Sequence, residues 1–137
     1  MDTTEYNRLR NEGSEQEVLA AFKEICRRAL LKLPEDLRKY ALECIIDFEP
    51  CVSETTRKEM DLDDEEELFG LYHGLPMTHE HHLAPPTLPA RITLYYETLM
   101  DACETEEELI REIQVTLLHE IGHHFGMDED QLEALGY

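Results

Sequence analysis

The sequence predicts a single α+β domain, and three observations lead to that fold class. Apolar residues recur at helical spacing in two long segments, one towards each end of the chain. Three shorter segments between them have the composition or the alternation that is typical of β-strands. With 137 residues, 42% of them hydrophobic, the chain can bury one modest core and is too short for two.

The first residues are not expected to join the core. Residues 1–13 are polar, and we expect them to form a flexible N-terminal tail ahead of a domain that spans 14–137. They also lack the apolar stretch of a signal peptide. Ser14 and Glu17 have the spacing of a capping box. The first long helix is therefore predicted from about residue 15 to residue 32, ending before a proline.

A short helical turn and three strands are predicted in the middle of the chain. The turn is expected in PEDLRK, and ALECIIDF should form the first strand because apolar residues alternate along it. ELFGLYHG is predicted as the second strand and RITLYY, residues 91–96, as the third. The polar stretch SETTRKEMDLDDEEE, between the first two strands, is expected to be a solvated loop or a short helix.

The second long helix is predicted near the end of the chain, from about residue 106 to residue 125. Thr105 and Glu108 have capping-box spacing, and the acids of the first turn suit the positive end of the helix dipole. Gly126 stands where a residue with a left-handed backbone commonly ends a helix. A short final helix is expected to follow, over about 129–135.

The composition excludes some classes of partner. The chain carries 32 acidic and 12 basic residues, a formal charge of −20, whereas nucleic acid and anionic membrane surfaces are bound through Lys and Arg. No apolar run reaches the roughly 20 residues of a membrane helix. None of the cysteines is spaced as CxxC, so reduced thiols in a cytoplasmic protein are favoured over disulfides or a cysteine zinc site. These cysteines are Cys26, Cys44, Cys51 and Cys103.

The motif with chemical content is HEIGH, residues 119–123, in the second long helix. Because each helical residue turns about 100°, His119 and His123 point about 40° apart, a spacing at which two imidazoles can hold one zinc ion. Glu120 is offset by about 100° and can reach a water on the metal. An apolar stripe lies roughly opposite the histidines and should pack on the sheet. Gly122 would permit close backbone packing, at a cost of about 1 kcal/mol relative to Ala. The stripe consists of Ile110, Ile113, Leu117 and Ile121.

These residues predict metal-dependent hydrolysis of peptide bonds. Zinc on His119, His123 and a third ligand would keep an open position for water, lower the pKa of that water towards ~7 and polarise a substrate carbonyl. Glu120 would take the proton from the water and pass it to the leaving amine. His124 points about 100° away from His123, and we expect it on the surface or behind the metal ligands.

Three further histidines lie in the proline-rich segment LPMTHEHHLAPPTLPA. The prolines exclude a regular helix there, so HEHH cannot be presented as a helical metal motif. We expect an exposed loop, and an accessory contact to metal or substrate is the alternative. These histidines are His79, His81 and His82.

The chain resembles the bacterial mini-zincins, zinc metallopeptidases built on a minimal matrix-metalloprotease-like domain. The resemblance is carried by LFGLYHGLPMT, LPARITLYYETL and LLHEIGHHFGMDEDQLEALGY. It implies a zincin-like α+β fold, in which a small mixed sheet packs against an N-terminal helix and the active-site helix. It also implies a metal site at His119 and His123, with Glu120 as the catalytic acid and base. In zincins a substrate peptide lies antiparallel to an edge strand, and RITLYY is the candidate for that edge.

The third metal ligand is expected among the acids that follow Gly126. In the related pattern HExxHxxGxx(H/D), the final position falls on Glu129, which is neither His nor Asp. Gly126 can turn the chain sharply and bring these acids back towards the histidines, and a glutamate oxygen is a competent zinc ligand. The alternatives are Asp128, Asp130 and a site without a third ligand from the protein, and Asp128 also suits the cap of the final helix. In place of the methionine turn of larger relatives, Tyr137 is expected to pack near the ligands.

Two functional classes remain for this site. The first is a zinc-dependent peptidase that acts on a peptide or an unfolded protein segment. The alternative is a non-hydrolytic module that binds a peptide or a partner protein in the same cleft, with its metal structural or absent. Glu120 separates the two, because a binding module needs no acid at that position.

Overall fold

The chain forms a layer of helices on a small sheet. This arrangement is seen in a computed structural model that describes residues 1–73, 91–124 and 126–137, without the side chain of His123. None of the described helices is long and apolar enough to cross a membrane. They are α1 (Thr3–Glu12), α2 (Glu15–Leu31), α3 (Glu35–Glu43), α4 (Glu54–Glu59), α5 (Tyr96–Ala102), α6 (Glu106–His124) and α7 (Glu129–Ala134). The described strands are β1 (Ile45–Glu49), β2 (Gly70–His73) and β3 (Arg91–Tyr95).

The sheet is mixed, which confirms the predicted α+β fold class. Over the described residues, β3 lies between β1 and β2. It is parallel to β1, with Asp47 opposite Thr93, and antiparallel to β2, with Leu71 opposite Thr93. RITLYY is therefore the central strand, and its assignment as the edge strand is wrong. Four consecutive residues of β3 are buried, as expected for a strand covered on both faces, whereas β1 and β2 are only partly buried.

Helix α1 occupies most of the segment that the sequence indicated as a flexible tail. Asp2 caps it, since its carboxylate accepts a backbone N–H of the first turn at 2.8 Å. Tyr6 and Leu9 are buried in the core, and the Tyr6 hydroxyl donates to the carbonyl of Met100 at 3.0 Å. The sequence signal was weak because α1 buries only these two side chains, and their burial depends on residues far along the chain.

Two elements in the middle of the chain differ from the prediction. ALECIIDF is not one strand, because its first three residues end α3 and β1 begins at Ile45. Leu37 and Ala41 are one helical turn apart and both pack on the core, so helical burial outweighs the alternation. Helix α5 was not predicted and follows β3 directly. One of its faces is buried at helical spacing, through Tyr96, Leu99 and Met100.

The two predicted long helices, α2 and α6, agree with their expected bounds to within one residue. Helix α6 lies against α2 on one side and contacts β2, α3, α5 and α7 as well. The buried Gln114 side chain donates to the carbonyl of Ala29 at 3.0 Å and joins the two long helices. Thr105 caps α6 by accepting the N–H of Glu108 at 3.1 Å, as predicted.

All four cysteines are free thiols. Cys26 and Cys103 are buried, whereas Cys51 is exposed. Burial raises the pKa of Cys26 to about 12 and that of Cys103 to about 11. Both thiols therefore stay protonated at neutral pH and act as small core residues.

Candidate metal and catalytic site

The C-terminal end of α6 carries the HEIGH motif and forms the candidate site. The apolar stripe on the other side of the helix is buried, as predicted, and no member of it is more than 8% exposed. By contrast, the side chain of His119 is 27% exposed, and Glu120 is half-buried. The helix therefore turns its apolar residues into the core and leaves His119 open to solvent.

Helix α7 packs on α6 at Gly122. A Cβ atom added there would lie 3.0 Å from Cδ1 of Leu132, a side chain that is 2% exposed. The expectation of close packing at Gly122 is confirmed, and the neighbour is α7. A larger residue at this position would push α7, which begins with Glu129, away from the motif.

The chain reverses direction between α6 and α7 at Gly126. This glycine has φ +73°, the left-handed conformation predicted for it. The N–H of Met127 then donates to the carbonyl of Gly122 at 2.7 Å, which satisfies one of the last carbonyls of α6. Asp128 caps α7, because its carboxylate accepts the N–H of Gln131 at 2.8 Å while the Gln131 side chain accepts the N–H of Asp128 at 2.9 Å.

The reversal brings Glu129 to His119. Glu129 Oε2 lies 3.2 Å from Nδ1 of His119, and the glutamate side chain is 70% exposed. Bonds of 2.0–2.2 Å in a tetrahedral zinc site hold two ligand atoms about 3.3 Å apart, so this pair fits a shared metal ion. A carboxylate at one ring nitrogen is also the usual partner that orients an imidazole bound to metal through its other nitrogen. Asp130 is exposed, and Asp128 is occupied by its cap.

Glu120 faces the opposite neighbour, strand β2. Its Oε2 accepts the backbone N–H of Tyr72 at 3.1 Å. Because Tyr72 belongs to β2, which contacts α6, this hydrogen bond joins the carboxylate of Glu120 to the sheet. Sequence reasoning missed this partner, because the contact joins residues 48 positions apart and involves a backbone group that no side-chain motif reveals.

His124 also contacts Tyr72. It is buried, at 7% exposure, and its Nδ1 lies 2.8 Å from the tyrosine hydroxyl. Burial lowers the pKa of His124 and raises the pKa of Tyr72, so at neutral pH the phenol keeps its proton and can donate it to a neutral ring. Two positions were expected for His124, on the surface or behind the metal ligands. Its burial excludes the surface, and the residue lies behind the motif, towards β2.

Some residues of the predicted site lie outside the part of the chain that the structure describes. The backbone of His123 lies in α6, but its side chain is outside the described atoms, as are all atoms of the loop histidines His79, His81 and His82. In the part of the chain that is described, no group of three His, Cys, Asp or Glu side chains is gathered as for a metal ion. The predicted ligand set includes His123 and is therefore only partly visible, as the pair His119 and Glu129.

Tyr137 packs beside α6. The guanidinium of Arg111 lies 4.7 Å from the centre of the Tyr137 ring, and the same side chain donates to the carbonyl of Gly136. Arg111 precedes His119 by about two helical turns. The end of the chain therefore braces α7 against the middle of α6, and Tyr137 lines one cavity with Leu118 and Ile121 of the same helix.

Comparison with known proteins bears on this region. A family model described as zincin-like metallopeptidase matches residues 42–137, more than half of the chain. No curated protein matches the chain. The matched part begins in α3 and includes the sheet, α6 and α7, so it contains every residue of the candidate site.

Proposed function

The chain belongs to the zincin-like metallopeptidase family, and from this premise we propose that it is a zinc-dependent peptidase. Its metal would be held by His119, His123 and Glu129, and its general base would be Glu120. The single observation that carries this proposal is the approach of Glu129 to His119, at 3.2 Å across the Gly126 turn. Both groups are types that zinc prefers, and both are accessible to an ion from solvent.

The proposed chemistry divides between the metal and the protein. Zinc, when bound, supplies an activated water and a Lewis acid for the substrate carbonyl. Glu120 takes the proton from the attacking water at a carboxylate oxygen and gives it to the nitrogen of the leaving amine. The N–H of Tyr72, 3.1 Å from Oε2, supports this role because it fixes the direction of the carboxylate. His119 and His123 would hold the metal through their imidazole nitrogens.

The substrate is proposed to be an extended peptide or an unfolded protein segment that adds to the sheet at β2. Over the described residues β2 is an edge strand and borders the helix that carries Glu120. The peptide would pair with backbone groups of this edge other than the Tyr72 N–H, which Glu120 accepts. A peptide that pairs with a strand edge gains affinity from main-chain hydrogen bonds, largely independent of its sequence. This assignment replaces RITLYY, which is enclosed by its two neighbours.

The experiment combines metal analysis with cleavage of a mixed peptide library. We expect about one zinc per chain and cleavage that is lost on chelation. Glu120→Gln should keep the metal and lose hydrolysis by about 10²–10⁴-fold, because an amide cannot shuttle the proton. The alternative, a non-hydrolytic peptide-binding module, predicts that both proteins bind peptides and neither cleaves them. Equal cleavage rates in Glu120→Gln and the parent protein would contradict the proposed mechanism.

A further inference from the structure

We infer that Tyr72 is a positioning residue for Glu120, an inference that rests on the proposed function. Tyr72 touches α6 at two points. Its backbone N–H donates to Glu120 Oε2 at 3.1 Å, and its hydroxyl lies 2.8 Å from Nδ1 of His124. Glu120 and His124 are four residues apart and lie on the same side of the helix. Tyr72 therefore bonds to one turn of α6 through both its backbone and its side chain.

The position of the N–H is set by the sheet. Neighbouring residues of an antiparallel strand direct their N–H groups to opposite sides. Tyr72 stands opposite Ile92 of β3 and sends its N–H away from β3, towards Glu120. Ile92 is fully buried, and β3 is held on its other side by β1. The donor is thus fixed by pairing across three strands and not by a mobile side chain.

The side chain of Tyr72 fixes the distance between β2 and α6. Its partner His124 is 7% exposed, and the two rings lie 5.5 Å apart between centroids. A hydrogen bond to a buried ring costs free energy when it is broken, since the ring nitrogen is left without that donor and away from water. The hydrogen bond of the Tyr72 hydroxyl to His124 opposes movement of β2 along α6. The carboxylate of Glu120 is consequently held in one orientation.

This role predicts a specific kinetic change. Orientation of the base matters when the proton moves and contributes little to substrate affinity, so its loss should lower kcat and leave KM nearly unchanged. Tyr72→Phe keeps the ring and the backbone N–H and removes only the hydroxyl. We expect kcat of the zinc-loaded enzyme to fall about tenfold, the loss of one hydrogen bond, with zinc affinity unchanged.

A second readout does not depend on activity. In the zinc-free protein, the amide proton of Tyr72 should exchange slowly with solvent, and Tyr72→Phe and Glu120→Ala should each accelerate that exchange. Tyr96→Phe is the matched control, because the Tyr96 ring is buried and its hydroxyl donates to Glu15 at 3.1 Å, on the α2 side of the core. The control should leave kcat and the exchange of the Tyr72 amide unchanged.

Variants of His124 separate positioning from general loosening of the fold. His124→Leu removes the acceptor and should lower kcat like Tyr72→Phe. His124→Asn retains an acceptor oxygen near the former Nδ1 and should recover part of that loss. The double variant Tyr72→Phe with His124→Leu should be no slower than either single variant, because both remove the same bond.

The outcomes distinguish this inference from the proposed function. If the parent protein cleaves peptides and Tyr72→Phe retains full kcat, or loses no more than Tyr96→Phe, the positioning role is overturned. If the parent cleaves no peptide, the proposed function fails, and the exchange measurement still decides whether Tyr72 holds Glu120. Unchanged amide exchange in Glu120→Ala would overturn the contact itself.

Discussion

The two ends of α6 use charged side chains in different ways. At the N-terminal end, the carboxylate of Glu106 is 6% exposed and pairs with Arg28 of α2 and, at 2.8 Å, with the amino group of Met1. At the C-terminal end, His119 and Glu129 meet at 3.2 Å while remaining 27% and 70% exposed. One end therefore holds its charge inside the fold, and the other holds it at the surface.

This difference separates a buried ion pair at one end from the proposed metal site at the other, along one helix of 19 residues. A buried carboxylate costs free energy when a partner is removed, so the neighbours of Glu106 contribute to the stability of the fold. An exposed pair interacts weakly and can exchange its partner for an ion without unfolding the chain. Between the anchored N-terminal end and the reactive C-terminal end, Ile113 and Leu117 are fully buried in the core.

The largest expected effect concerns the metal ligands. His119→Ala or His123→Ala should reduce bound zinc from about one equivalent per chain to none, because each variant leaves two of the three protein ligands that a catalytic zinc site uses. The measurement is metal analysis after dialysis against zinc. The unfolding of the zinc-free proteins should change little, since neither side chain belongs to the anchored end of α6.

The loop histidines provide the control for this result. Replacement of His79, His81 and His82 together by Ser should leave one tightly bound zinc per chain. A fall to zero in this triple variant would mean that the metal site lies in the loop and not on α6.

The next effect tests the role of Glu129. Removing a residue that only hydrogen-bonds to a metal ligand weakens metal affinity by roughly 10–100-fold. If Glu129 is itself the third ligand, Glu129→Ala should weaken zinc binding by more than that. Asp128→Ala removes the cap of α7 and should lower the free energy of unfolding by about 1 kcal/mol with little change in zinc affinity. Zinc titration against a competing chelator measures the first change, and thermal unfolding of the zinc-free protein the second.

Glu129→Gln separates two roles that its contact with His119 allows. The neutral amide is a poor zinc ligand, but its carbonyl oxygen can still accept a hydrogen bond from Nδ1. If Glu129→Gln binds zinc almost as tightly as the parent protein while Glu129→Ala does not, Glu129 orients His119 and does not ligate. Zinc affinity unchanged in Glu129→Ala would exclude both roles.

Local sequence patterns predicted the parts of the fold that depend on neighbouring residues. The bounds of α2 and α6, the cap at Thr105 and the left-handed Gly126 all follow from spacing or from the conformational preference of one residue. Helix α1 and the central place of β3 were missed because they depend on distant partners. Tyr6 of α1, for example, is bonded to Met100, 94 positions away.

The candidate site divides in the same way. The spacing of His119, Glu120 and Gly126 indicated a metal motif followed by a sharp turn, and the structure brings Glu129 to His119 across that turn. The contacts of Tyr72 with Glu120 and His124 span 48 and 52 positions and depend on how the sheet docks against α6. Docking of this kind leaves no periodic mark in the sequence, so it could not be predicted.

The last expected effect concerns stability alone and lies at the anchored end of α6. Arg28→Met should lower the free energy of unfolding by about 1–2 kcal/mol, because Glu106 loses a charged hydrogen-bond partner and stays buried. Arg27→Met is the matched control, since Arg27 and Glu24 form an exposed ion pair on α2, the helix that also carries Arg28. The free energy of unfolding of Arg27→Met should not change measurably. Denaturant unfolding of both zinc-free proteins gives the comparison.

Zinc affinity and kcat of Arg28→Met test whether the two ends are independent. The guanidinium contacts the first residue of α6, about 13 residues and more than three turns before His119. A helix packed along its whole length moves as a unit, so losing the contact should make unfolding easier without reorienting the motif. If Arg28→Met loses zinc affinity in proportion to its stability, the anchored end and the reactive end are coupled, and burial of Glu106 is part of how the site is positioned.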